Sequence, residues 1–137
     1  MKLTPFGREV RGLRMDTGRM MKDMADHLHV SESYVSAVEF GKRAIPETWP
    51  MQIAAFFGLG KEKSEGLQVL AKGSNKVLSI DLQDDSLSQL HRETAAIFAM
   101  SLPKFSEEQL LRVKRHLEEI RHEKPWARGS SVAVDGS

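Results

Sequence analysis

Cysteine is absent from the 137 residues, which excludes disulfides, thiolate metal sites and cysteine nucleophiles. Long apolar runs are missing as well. A stretch such as Ile53-Ala54-Ala55-Phe56-Phe57 falls far short of the ~20 residues a membrane span requires. Arg8, Glu9, Arg11 and Arg14 interrupt the N-terminal segment, so no secretory leader is expected. A cytoplasmic chain with no membrane partner is the expectation. An excess of one charge is lacking too: twenty basic residues against nineteen acidic leave +1. Attraction to nucleic acid must therefore come from a local patch, not from the field of the whole molecule. With 40% hydrophobic and 28% charged residues, the composition excludes wholesale disorder and collagen-like structure.

What is present is helical periodicity. Phe6, Val10 and Leu13 recur at helical spacing, and Met21, Met24, Ala25 and Leu28 follow the i, i+3, i+4, i+7 pattern of an amphipathic helix. Asp16-Thr17-Gly18 breaks the chain between them. Thr17 can cap the second helix; a start near Met20 offers no hydroxyl or carboxylate. Ser31 is a good cap for a third helix, with Val30 and Val35 in staple positions and Gly41 as a stop. Its inward residues are Val35 and Val38. Pro46 and Trp49-Pro50 open a fourth helix that runs through Ile53, Ala54 and Phe57 to Gly58 or Gly60.

Beyond Gly60 the pattern weakens. Residues 61–70 read as a polar-faced helix, and residues 77–82 alternate as a short strand with Leu78, Ile80 and Leu82 on one side. A helix over 86–100 carries Leu87, Leu90, Ile97 and Phe98. Ser106 and Gln109 form a capping box for a last helix. There Leu110, Val113, Leu117 and Ile120 step 3-4-3, which suits either packing on the preceding helix or a dimer seam. The expected fold class is mainly α. It comprises a helix-turn-helix domain of four to five helices over 1–60, a strand-and-helices segment for dimerisation or partner binding over 61–123, and a frayed tail over 124–137.

The informative feature is the helix pair joined at Ala25-Asp26-His27-Leu28-His29-Val30-Ser31. A small residue on the first helix permits close approach, and the second helix keeps a polar face of Glu32, Ser33 and Ser36 beside Tyr34. A short helix with hydroxyls and a carboxylate at its exposed start suits the major groove, where base edges present donors and acceptors. Together with Leu13-Arg14 and Met24-Ala25, the string S-x-x-x-V-S-x-V-E-x-G-K-R-x-x-P from Ser31 to Pro46 resembles the phage-repressor/Cro (XRE) helix-turn-helix family over residues 6–59.

That resemblance implies a dimer on a pseudo-palindromic double-stranded DNA operator, most naturally a transcriptional repressor. It implies base reading by Glu32 and Ser33, with Tyr34 and Ser36 beside them, and phosphate contacts from Lys42 and Arg43. It also implies a structural ion pair between Glu39 and Arg14. Where the family usually opens its second helix with a hydroxyl and a glutamine, this chain has Met20 and Met21. Arg19 and Lys22 are the substitutes expected to contact phosphate. Glu32 can accept from cytosine N4 but repels phosphate.

Other residue groups carry weaker readings. His27 and His29 lack a third and fourth ligand, so neither a metal nor any cofactor is expected. The acid pairs Asp84-Asp85 and Glu107-Glu108 fall at helix starts, and Glu118-Glu119 on a charged face. No nucleophile, base and oxyanion donors assemble, so an enzyme is not expected. The methionines clustered between Met15 and Met24 read as filling for an irregular core. The alternative function is an antitoxin whose C-terminal part binds a toxin protein while the N-terminal part autoregulates.

Overall fold

Each helix of the first half begins and ends where its backbone groups find partners. The computed structural model describes residues 2–123, so the tail expected over 124–137 lies outside the described residues. The protein is mainly helical. In order it forms α1 (Pro5–Thr17), α2 (Met21–Leu28), α3 (Glu32–Glu39), α4 (Trp49–Phe57), α5 (Lys61–Gly73), α6 (Gln89–Ser101) and α7 (Glu107–Arg121). A 3-10 turn, Leu102–Lys104, links the last two.

Three of these helices stop in the same way. Gly18, His29 and Gly58 take left-handed backbone angles, with φ of 67°, 58° and 63°. The following amides donate back to the carbonyls of Arg14, Ala25 and Ala54, so each final turn closes on itself. Two of the three residues are glycine, for which this conformation carries no Cβ penalty. His29 is the exception. Thr17 lies inside α1 and donates its hydroxyl to the carbonyl of Leu13, so α2 starts after Met20 with no side-chain cap.

One core gathers α1 to α5. Phe6 and Val10 of α1 meet Met24 and Leu28 of α2, Val35 and Val38 of α3, and Trp49, Ile53 and Phe56 of α4. Leu67 and Ala71 of α5 complete it, with Leu67 1% exposed. Helix α5 packs on α4 and α1, and the chain divides into compact units at Met1–Ser79 and Ile80–Ser137. The boundary expected at residue 60 therefore falls inside the first unit. The reason is that Leu67 and Ala71, four apart on one face, cover core that α1 and α4 leave open.

The strand expected over 77–82 does not form; among the described residues there is no strand. Val77, Leu78 and Ile80 are 78%, 64% and 72% exposed, and a lone alternating segment has no neighbour to supply ladder hydrogen bonds. The second unit begins instead with turns. Asp84 accepts from the Ser86 amide at 2.9 Å, and the backbone and hydroxyl of Ser86 hold its carboxyl below the usual value. Helix α6 starts later than expected because Ser88, not Ser86, caps it in a reciprocal box with His91. The Ser106–Gln109 box opens α7.

Two glycines and one histidine give stability forecasts. A Cβ on Gly7 would lie 2.2 Å from the Glu39 carbonyl oxygen, whereas one on Gly12 would meet nothing within 4 Å. Both are in α1, where alanine is favoured over glycine by about 1 kcal/mol. Gly12→Ala should stabilise by about 0.5–1 kcal/mol, and Gly7→Ala should destabilise by about 2 kcal/mol or more in denaturant titrations. His29→Gly should stabilise by roughly 1 kcal/mol, by removing the left-handed Cβ penalty.

Candidate nucleic-acid interface

The second and third helices are joined by a turn of only three residues, His29-Val30-Ser31. Ser31 Oγ accepts from the Tyr34 amide at 3.1 Å and fixes the start of α3. Val35 and Val38 are both fully buried and attach one side of the helix to the core. Glu32 and Ser33 in its first turn are exposed, and Ser36 one turn on is half-buried. The exposed start of α3 thus carries a carboxylate and hydroxyls on a helix whose opposite side is anchored.

The far end of α3 is fully accounted for. Its last four carbonyls have no partner within the helix, as at any helix C-terminus. Ser36 O accepts from Phe40 N, Ala37 O from Lys42 N at 2.8 Å, and Val38 O from Gly41 N. Glu39 O accepts from the Thr4 amide at 3.0 Å and from its hydroxyl at 3.1 Å. Thr4 Oγ1 in turn caps α1 by accepting from Gly7 N. The start of α1 therefore sits on the end of α3, at a distance only glycine at position 7 allows.

The Glu39 side chain is buried at this same point. It forms a bidentate pair with Arg14, Nη1 to Oε2 and Nη2 to Oε1, the second at 3.1 Å. A carboxylate in the last turn of a helix opposes the dipole by about 0.3–1 kcal/mol. The guanidinium of α1 offsets this and satisfies both oxygens.

The cations expected at phosphate occupy different settings. Lys42 and Arg43 are exposed, and both amides donate to the Ala37 carbonyl, which ties them to the end of α3. The Arg43 guanidinium stands 5.3 Å from the centre of the Tyr34 ring. Tyr34 meets Trp49 edge-on at 5.7 Å and is half-buried, so its ring supports the packing of α3. Lys22 is exposed in the first turn of α2. Arg19 has an additional task that the sequence did not signal. Its Nη1 donates to the Phe56 carbonyl at 2.5 Å and its guanidinium lies 3.7 Å from the centre of the Phe56 ring, so it closes the end of α4.

Charge is divided unevenly along the chain. Residues 1–79 hold twelve Lys and Arg against nine Asp and Glu, so the net +1 conceals a basic first unit. His29 serves as the turn residue of α2, and the His27 ring lies 5.3 Å from Phe56. Among the described residues no three His, Asp or Glu gather as a metal site, and no helix is long and apolar enough to cross a membrane. Comparison with protein-family models, curated proteins and solved structures gives no match.

The buried pair generates a testable asymmetry. Arg14→Met or Glu39→Leu alone strands one buried partner and should cost about 3–5 kcal/mol. The double substitution should cost much less than the two together. Chemical denaturation of the three variants measures the coupling, and simple additivity would show that the pair is not what holds the helices together.

Proposed function

We propose that this chain is a sequence-specific DNA-binding regulator of the phage-repressor/Cro helix-turn-helix type. In this reading α3 is the recognition helix and lies in the major groove. A homodimer places two such helices on a pseudo-palindromic operator and represses by occluding the promoter. The observation that carries it is the start of α3, where Glu32 and Ser33 are exposed on a helix pinned through Val35, Val38 and Glu39. Base reading demands that rigidity, because a side chain that moves by an ångström no longer distinguishes donor from acceptor.

Phosphate contacts come from Lys42 and Arg43, tethered just after α3, and from Lys22 at the start of α2. Arg19, engaged with α4, orients this end of the domain and presents its remaining N–H groups. Glu32 accepts from cytosine N4 and opposes phosphate, so it adds discrimination at some cost in affinity. The setting is cytoplasmic, and neither cofactor nor catalysis is involved.

A second reading, antitoxin, is favoured by one observation: α6 and α7 contain no buried residue, as expected of helices awaiting a partner. A toxin would then co-purify at stoichiometric yield.

Selection on randomised duplexes tests the primary reading. Glu32→Gln should raise non-specific affinity and lose about 1–3 kcal/mol of discrimination at one base pair per half-site. Ser33→Ala should also relax specificity without changing the melting temperature. Lys42→Ala or Arg43→Ala should flatten the slope of log K against log salt by about 0.9 and weaken all sequences alike. Unchanged base preference in both α3 variants would place recognition on another surface.

A further inference from the structure

Among the described residues the second unit has helices but no buried core. Neither α6 nor α7 contains a buried residue, and the two do not pack along each other; α6 packs mainly on the 3-10 turn that follows it, with Arg92 donating to the Leu82 carbonyl and Phe98 near Phe105. Residues 94–103 carry no charge, yet Ile97 and Met100 are 65% and 72% exposed. Isolated helices of this length are marginal in water. Something must cover them.

The sequence of α7 identifies the cover. Its apolar stripe Leu110, Val113, Leu117, Ile120 has the spacing 3-4-3, which reads the same in both directions. An antiparallel second copy therefore meets it layer for layer, with Leu110 opposite Ile120 and Val113 opposite Leu117 of the other chain. The flanking charges agree with that direction. In this register Glu107 falls beside Arg121 of the second copy, a contact occurring twice about the two-fold axis, while Lys114 meets its own copy at the axis. A parallel pair would instead set Gln109 against Lys114 and His116 against Arg121, with no opposite charges.

We propose that α7 is a self-complementary seam, and that a second copy of this chain docks on it antiparallel. It covers an apolar groove of about 390 Å³ formed by Phe105, Val113 and Leu117 with the stems of Gln109, Arg112 and His116. Helix α6 adds apolar area at the margin. Helices α6 and α7 and the turn between them expose nine large apolar residues. At roughly 60–120 Å² for each side chain covered, they bring one copy near the ~800 Å² that a standard interface takes from each partner. This inference names the dimer surface of the function proposed above and requires no DNA.

The absence of native cysteine makes the test direct. Full-length Val113→Cys and Leu117→Cys chains, distinguishable by a tag, are mixed, allowed to exchange subunits, and oxidised without DNA. The expected product is the 113–117 heterodisulfide, in several-fold excess over either homodisulfide. Predominant 113–113 linkage, or a chain that light scattering finds monomeric, would overturn the proposal. Charge exchange gives an independent readout on unlinked protein. Glu107→Lys and Arg121→Glu should each weaken dimerisation about five- to tenfold, and together restore it. A double variant no tighter than the singles would also overturn it. Circular dichroism of the first unit, whose core lies elsewhere, checks folding. Loss of operator binding with the heterodisulfide intact would count against the DNA reading alone.

Discussion

Glu39 is the residue on which the geometry of the first unit depends. Its carbonyl accepts both the amide and the hydroxyl of Thr4, and its carboxylate accepts both arms of Arg14. All these donors belong to α1 or its cap, so one residue at the end of α3 fixes where the first helix lies. Gly7 is the steric counterpart, since any side chain there would enter the Glu39 carbonyl. A buried ion pair is weak evidence for stability in itself, because desolvation offsets much of the attraction. What it supplies here is position: a single docking of α1 satisfies every one of these groups at once. The exposed start of α3 inherits that definition, which a helix of only eight residues would not possess alone.

The two units differ in what they leave unsatisfied. The first buries large side chains from five helices and orders the ends of α1, α2, α3 and α4 by capping or by donors from neighbouring segments. The second has well-formed caps, with reciprocal boxes at Ser88 and Ser106, but its apolar residues remain in water. Caps set where a helix starts, while packing supplies most of its stability. A segment with the former and not the latter is suited to association. The proposed dimer follows from that imbalance, and it suits a reader of two-fold symmetric DNA, in which each half-site is bound by an identical helix.

Much of this was legible in the sequence because helical periodicity and caps are local. Ser31, Gly58 and the Ser106–Gln109 box stand where the chain turns, and Val35 and Val38 face inward as their spacing implies. The failures are non-local. Residues 77–82 alternate as a strand does, but alternation specifies only a face, and ladder formation requires a neighbour that the described residues do not supply. Leu67 and Ala71 looked like part of a polar helix because two core contacts are a weak signal amid Lys and Glu. Gly7 gave no sign that it touches Glu39, thirty-two positions away. Arg19 read as a free cation, since nothing local shows that Phe56 lies beneath it. Within α3, the exposure of Glu32 and Ser33 followed from the apolar pattern, whereas the engagement of Tyr34 with Trp49 depended on a loop of unpredictable path.

The central claim is that a rigid α3 is presented to the major groove by a two-fold symmetric protein. Methylation protection of guanine N7 on a duplex selected from random sequence tests it most directly, because that atom is reached only through the major groove. The account predicts two protected patches on one face of the DNA, about one helical turn apart or a multiple of it, related by the pseudo-palindrome of the site. Selection of no preferred sequence, or a selected site with N7 unprotected throughout, would contradict it.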